Sequence, residues 1–187
     1  MKSHNFKRLF TAVSISVFCF SNGCGTVIGN GLIDVKFKSY ETQSMRMLTN
    51  VSDVKICPSQ VRFIQNGEST ATDISFASTA EVSVSASGTT VGTASVPNGT
   101  YTRIEIDLTD ACTSKKSIQA TNPQGNFTSS EKITLSFTGS FVLSGNGSLT
   151  LSVQPIMESL GQASSDGDLK GKAEQNNGSF GNGDFNN

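Results

Sequence analysis

The stretch Val96–Leu108, VPNGTYTRIEIDL, decides the fold. Pro97, Asn98 and Gly99 are turn formers: proline fixes φ, and an Asn-Gly pair tolerates the positive φ of a tight turn. After them Thr102, Ile104, Ile106 and Leu108 alternate with Arg103, Glu105 and Asp107. Successive side chains of a strand point to opposite faces, so a period of two predicts one apolar and one charged face.

The same pattern recurs on both sides. Upstream, Ile33, Val35 and Phe37 alternate with Asp34, Lys36 and Lys38. Val54 and Ile56, then Val61 and Phe63, follow with Pro58 breaking between them, and Asn66–Gly67 suits a tight hairpin. Ile74–Phe76, Val82–Val84 and Val91–Val96 continue the series, and the Ser and Thr crowded between 69 and 95 supply polar outward faces. Downstream come Ile133, Leu135 and Phe137, then Phe141–Leu143, a turn at Gly145–Asn146–Gly147, and Leu149, Leu151 and Val153 before Pro155. Eight or nine such strands predict an all-β fold, an antiparallel β-sandwich (immunoglobulin-like or prealbumin-like) over residues 32–160, with a closed barrel as runner-up. Ile156–Ala163 hints at a short helix or strand. The strands are too short, and too poor in aromatic girdles, for a membrane-spanning barrel. Residues 161–187, rich in Gly, Asn and Ser, predict a disordered tail.

The N-terminus carries a different signal. MKSHNFKR, with Lys2, Lys7 and Arg8 and no acid, leads into the apolar run Leu9–Phe20, which falls short of the ~20 residues of a spanning helix. A basic lead, an apolar run and small residues after it define a secretory signal, expected here at 1–23. Cleavage before Cys24 leaves Ser21 and Gly23 at the third and first positions before the cut, where the ordinary signal peptidase also accepts small residues. A cysteine at the cut resembles the bacterial lipoprotein signal, although Ser21 and Asn22 depart from its usual Leu and Ala or Ser. That resemblance implies a diacylglyceryl thioether and further acylation (a palmitate-type anchor) on Cys24, removal of Cys19, and a tether over 24–31. Each buried methylene contributes ~0.8 kcal/mol, and two or more chains hold firmly. Gly25, where resembling lipoproteins retained in the inner membrane carry Asp, implies the outer membrane. Ordinary cleavage would give a periplasmic or secreted protein instead.

Removing Lys2, Lys7 and Arg8 leaves 11 Lys+Arg against 15 Asp+Glu, a net charge of about −4 with no basic footprint for nucleic acid. Lys115–Lys116, the basic doublet of the folded part, reads as a solvated loop. The remaining cysteines, Cys57 and Cys112, read as one structural disulfide in an exported chain. The single histidine, His4, lies in the signal, which removes Ser–His and Cys–His nucleophile chemistry and the commonest metal ligand from the mature protein. No cofactor-binding fingerprint occurs. With no Trp and two Tyr, a lectin built on aromatic platforms is disfavoured. Phe37, Phe63, Phe76, Phe127, Phe137 and Phe141 read as core.

At Val96, Pro97, Gly99, Tyr101, Ile104 and Ile106 the chain resembles exported bacterial lipoproteins of unassigned function, in which a V-P-x-G-x-Y turn leads into an alternating strand. The resemblance implies a β-sandwich, brings no catalytic residues, and places Tyr101 in the packing at a sheet corner. The leading expectation is a non-enzymatic, lipid-anchored cell-envelope protein with a structural or binding β-sandwich, partnered by the membrane and by an envelope or surface component of unspecified identity. A secreted adhesion or fibre subunit, assembled through strand edges, is the second reading. A hydrolase using Glu105 and Asp107, two apart on one strand face with Asp110 following, is the third. Asp166–Gly167–Asp168 faintly resembles a calcium loop but lacks the required spacing.

Overall fold

The computed structural model describes residues 29–40, 51–66, 73–76 and 80–186. The signal, Cys24 and most of the expected tether lie outside these residues. Within them the strands are β1 (Asn30–Phe37), β2 (Ser52–Ile56), β3 (Pro58–Gln65), β4 (Ile74–Ser75), β5 (Val82–Val84), β6 (Thr89–Pro97), β7 (Gly99–Leu108), β8 (Ile118–Asn122), β9 (Gly125–Ser129), β10 (Ile133–Leu143), β11 (Gly147–Leu151), β12 (Gly178–Phe180) and β13 (Phe185–Asn186). The helices are α1 (Gln154–Leu160) and α2 (Asp166–Gln175). The first sheet has the order β13-β11-β1-β6, the second β12-β10-β7-β3-β4 and the third β5-β2-β8-β9. The all-β, sandwich-like architecture expected from the alternation is present. Its pairings are antiparallel except for β1–β11 and β10–β12, which are parallel.

The VPNGTYTRIEIDL stretch forms the end of β6, its turn and β7, the middle strand of the second sheet. Ile104, Ile106 and Leu108 are fully buried. Thr102 does not join them. Register shifts on both neighbours let Tyr101 turn inward instead, and its hydroxyl donates to the Pro97 carbonyl at 2.5 Å, closing the corner. The inward faces of the first two sheets meet in one core, where Phe37 packs on Phe137 and Phe141 touches Phe63, Tyr101 and Phe180. Of the six core phenylalanines, Phe127 is partly buried and the other five are buried.

The second and third sheets share continuous chain. β2 passes into β3 across Cys57, with Pro58 opening β3 rather than interrupting it, and the segment after β7 leads into β8. Cys57 is disulfide-bonded to Cys112 at this junction, Cα to Cα 5.8 Å. The bridge spans 55 residues and contributes about 4 kcal/mol on the chain-entropy model. β3 and β4 pair with Val61 opposite Ile74, and the hairpin turn read at Asn66–Gly67 falls where the chain passes outside the described residues. The turn expected at Gly145–Asn146–Gly147 carries the chain from the second sheet to the first.

The body also extends at both ends. Asn30 and Gly31, assigned to the tether, already belong to β1. Of the disordered tail expected over 161–187, the described residues 161–186 are instead part of the fold. Pro155 sits in the first turn of α1, where a missing N–H costs nothing, so it starts a helix as well as ending a strand. α2 is capped by Ser165, whose hydroxyl accepts from the Asp168 N–H, and it carries Asp166 and Asp168 in its first turn and Lys172 in its last. Leu169 and Ala173, one helical turn apart, are fully buried. β12 then lies between β10 and the end of β11: it pairs in parallel with β10, and Ser179 exchanges two backbone hydrogen bonds with Ser152. β13 adds to β11. The C-terminal segment thus straps the first sheet to the second along one side. A Cβ at Gly139 would overlap the Phe180 carbonyl, and one at Gly178 would overlap the Phe137 ring, so both positions need glycine for the strap to lie flat. Composition missed this segment because a few well-placed apolar side chains, not many, order it.

Candidate functional site

Two outward sheet faces carry the polar chemistry. On the second sheet, strand register brings Arg62 (β3) opposite Glu105 (β7), and Asp107 (β7) between Gln60 and Thr134 (β10). Asp107 has only 1% of its surface exposed. Arg62 grips it with two parallel bonds of 2.8 Å, Lys132 approaches at 2.7 Å, and the Thr134 hydroxyl donates at 2.8 Å. The same guanidinium reaches Glu105 at 2.9 Å and Asp73 at 3.2 Å, and Arg103 stands 3.2 Å from Glu105. Three cations and three anions interlock.

Burial alone would push the Asp107 carboxyl up, but the hydrogen bonds from Arg62, Lys132 and Thr134 outweigh it and hold the group below the ordinary carboxylate range. The hydrogen bond to Asp107 in turn raises Arg62, against the opposing effect of its own burial. Acid–base hydrolysis by two carboxylates needs one that keeps its proton near neutrality. Asp107 is held the other way, with its oxygens already occupied. The Glu105/Asp107 pair is therefore a clamp across three strands rather than an open site. Its face is outward, as the alternation implied, yet Asp107 is enclosed there by Arg62 and Lys132. Sequence reading missed those two partners. Arg62 stands at an outward position of an alternating strand, but nothing in the sequence sets its register against β7.

The other candidates separate. Asp110 is exposed in the turn after β7. Asp166 and Asp168 belong to the start of α2, where Asp166 accepts from the Thr128 N–H at 2.7 Å and Asp168 from the Ser164 N–H at 3.1 Å. Lys115 and Lys116 lie in the loop before β8, as expected. Among the described residues no group of three or more His, Cys, Asp or Glu is placed to hold a metal ion.

The outward face of the first sheet is built differently. Its rows are short polar side chains: Asn186–Ser148–Asp34 across β13, β11 and β1, then Thr150–Lys36–Thr90 across β11, β1 and β6. Asp34 accepts from the Thr93 hydroxyl at 2.7 Å, while Lys36 has no carboxylate partner among the described residues. Two adjoining shallow grooves run along β1 and share Lys36. One, of about 410 Å³, is lined by Lys36, Lys38, Ser39, Thr90 and Thr150 among others. The other, of about 510 Å³, is lined by Leu32, Asp34, Lys36, Asn146 and Ser148. Leu32 is an exposed apolar side chain within this polar strip, 55% accessible, and its N–H is held by the Asn146 side chain at 2.8 Å.

This face offers hydroxyls, an amide and an ammonium without a carboxylate partner among the described residues; every charge of the second sheet's clamp already faces an opposite one. Compared with models of protein families, with curated proteins and with solved structures, the chain matches none.

Proposed function

We propose that the protein is a lipid-anchored cell-envelope module that binds through its β-sandwich and catalyses no reaction. The observation that carries this reading is the pairing of a cysteine-terminated leader, ending at Cys24, with a body closed by the Cys57–Cys112 disulfide. Disulfides persist in oxidising compartments, so the bridge suits a chain exported past the inner membrane. No described helix is long and apolar enough to cross a membrane, and acylation of Cys24 supplies attachment without one. β1 begins at Asn30, so the body starts six residues after that cysteine and is held close to the surface that the acyl chains enter.

The outer membrane is the destination that Gly25 favours. The binding role rests on the contrast between the satisfied charged clamp of the second sheet and the open hydroxyl-lined grooves of the first.

Intact-mass spectrometry of the protein purified from membranes tests the anchor. The expected mass is that of residues 24–187 with a diacylglyceryl group on Cys24, with or without a third acyl chain on its amine, and two fewer hydrogens for the disulfide. Cys24→Ala should abolish incorporation of an alkyne fatty acid and release the protein from the membrane fraction. A bare polypeptide mass, with soluble oligomers beginning at an unblocked Cys24, would replace this reading with that of a secreted subunit.

A further inference from the structure

We infer that the β1 groove of the first sheet is a binding site for an acidic polysaccharide, a chain of carboxylated sugars lying along β1 from Lys38 toward Leu32. This deepens the proposed binding role of the sandwich and rests on it only for where such a polymer would be met. Lys36 and Lys38 are the charged residues lining the first groove, and no carboxylate lines it. The nearest recorded acid is Asp184, 3.9 Å from Lys38 across an exposed gap, while Lys36 has none among the described residues. In a mature chain of net negative charge this places two ammonium groups, carried by residues two apart at the end of β1, in a groove whose other polar side chains are hydroxyls. Ammonium groups make charge-assisted hydrogen bonds to carboxylates; Lys36 has no such partner among the described residues, and the exposed Lys38–Asp184 pair is weak enough to exchange.

The register explains why a sugar polymer fits better than a lone anion. Lys36 stands between Thr150 on β11 and Thr90 on β6, so hydroxyls flank the cation at inter-strand spacing on both sides. Each can donate to one sugar oxygen and accept from another. The second groove continues from Lys36 past Asp34 to Asn146 and Leu32, changing from cationic to neutral and amphipathic. From Leu32 to Lys38, just past the end of β1, the extended chain spans about 20 Å, room for several sugar units. Nucleic acid asks for denser cations and aromatic stacking, which this face lacks. The anchoring bilayer is disfavoured as occupant because β1 runs away from its entry at Asn30, carrying Lys38 about 25 Å along the strand from the tethered end.

The test is a titration of the purified mature protein, in whatever state Cys24 is found, with polymannuronate oligosaccharides, and in parallel with neutral dextran and inorganic phosphate. Polymannuronate is expected to bind at low salt and be released near 1 M, where the Debye length falls to about 3 Å. The joint change Lys36→Ala and Lys38→Ala should weaken it at least about tenfold, the loss of one or two charge-assisted bonds. Lys115→Ala with Lys116→Ala, a cation pair on a different loop, should leave it within about twofold on the same scale. Lys36→Gln, which keeps a hydrogen-bonding side chain without charge, supplies a second variant with an unaltered melting temperature. Absence of binding, equal loss in both lysine pairs, or phosphate bound as tightly as the polymer would each overturn the assignment. Because the measurement does not depend on acylation, its failure leaves the anchor standing, and loss of the anchor leaves this site intact.

Discussion

The two outward faces are made from the same kind of alternating strand and finish in opposite electrostatic states. On β7 the outward residues Arg103, Glu105 and Asp107 meet Arg62, Lys132 and Thr134 from neighbouring strands, and the charges interlock. On β1 the outward residues Asp34 and Lys36 meet Ser and Thr, leaving one acid tied to a hydroxyl and one ammonium without a carboxylate partner among the described residues. Cross-strand neighbours determine the difference. Opposite charges directly across a sheet stabilise it, whereas a charge facing hydroxyls contributes little to folding and remains available to a ligand. The first arrangement holds the sandwich together; the second gives it a surface with chemistry to offer.

Removing the central acid of the clamp should produce the largest effect. Asp107→Ala leaves Arg62 and Lys132 facing one another without their shared anion, and breaking a buried pair this way costs about 3–5 kcal/mol. Asp34→Ala on the other face removes one hydrogen bond to Thr93, worth about 1 kcal/mol. Urea denaturation of both variants measures the ratio. Equal losses would erase the distinction between the faces.

Next in size is the strap that joins the two sheets. Phe180 is 6% exposed and packs edge-on against Phe141, so Phe180→Ala should cost about 3 kcal/mol and raise hydrogen exchange at Ser152 and Ser179 before the rest of the body. Gly139→Ala should mimic it through the clash with the Phe180 carbonyl. A strap that released without touching the stability of either sheet would make it an appendage rather than a seam.

These two regions also mark where sequence reading succeeds and fails. The alternation from Thr102 to Leu108 is a local property, and it placed β7 correctly except at Thr102, where the bulge beside Tyr101 exchanges the inward residue. The disulfide was legible because only two cysteines, Cys57 and Cys112, lie beyond the expected leader and its Cys24, and they leave one pairing. The clamp was not, because Arg62 lies 45 residues from Asp107 and their meeting depends on strand register, which no single strand encodes. The strap was hidden for a related reason. Leu169, Ala173, Phe180 and Phe185 are few, and the surfaces that receive them belong to β9, β10 and β11, distant in the chain. Composition measures how much can be buried, not how well a few residues fit.

Acid should separate the faces more gently. The Asp107 carboxyl is depressed in the folded state, so it binds a proton less readily there than in the unfolded chain, whose carboxyl titrates near 3.9. Its contribution is complete above that unfolded value and is lost as pH falls below about 4 through the folded one. Thermal melts of the wild type should therefore drop more steeply below about pH 4 than those of Asp107→Asn, which has no proton to gain. Parallel curves would mean that the clamp does not couple protonation to folding.

The smallest expected effect is the one that most sharpens the contrast. Lys36→Ala with Lys38→Ala removes two cations, one with no carboxylate partner among the described residues and one in a long, exposed pair with Asp184 at 3.9 Å, so stability should change by less than about 0.5 kcal/mol. Lys132→Ala on the other face removes a single cation as exposed as Lys38, but one that stands 2.7 Å from a buried acid, and it should cost about 1 kcal/mol or more. The informative difference is what faces each cation: a buried acid in one case, hydroxyls and a distant exposed acid in the other. If Lys36 and Lys38 together prove as important to folding as the one clamped lysine, then the first sheet's cations have a structural task, and the case for a ligand along β1 loses its physical ground.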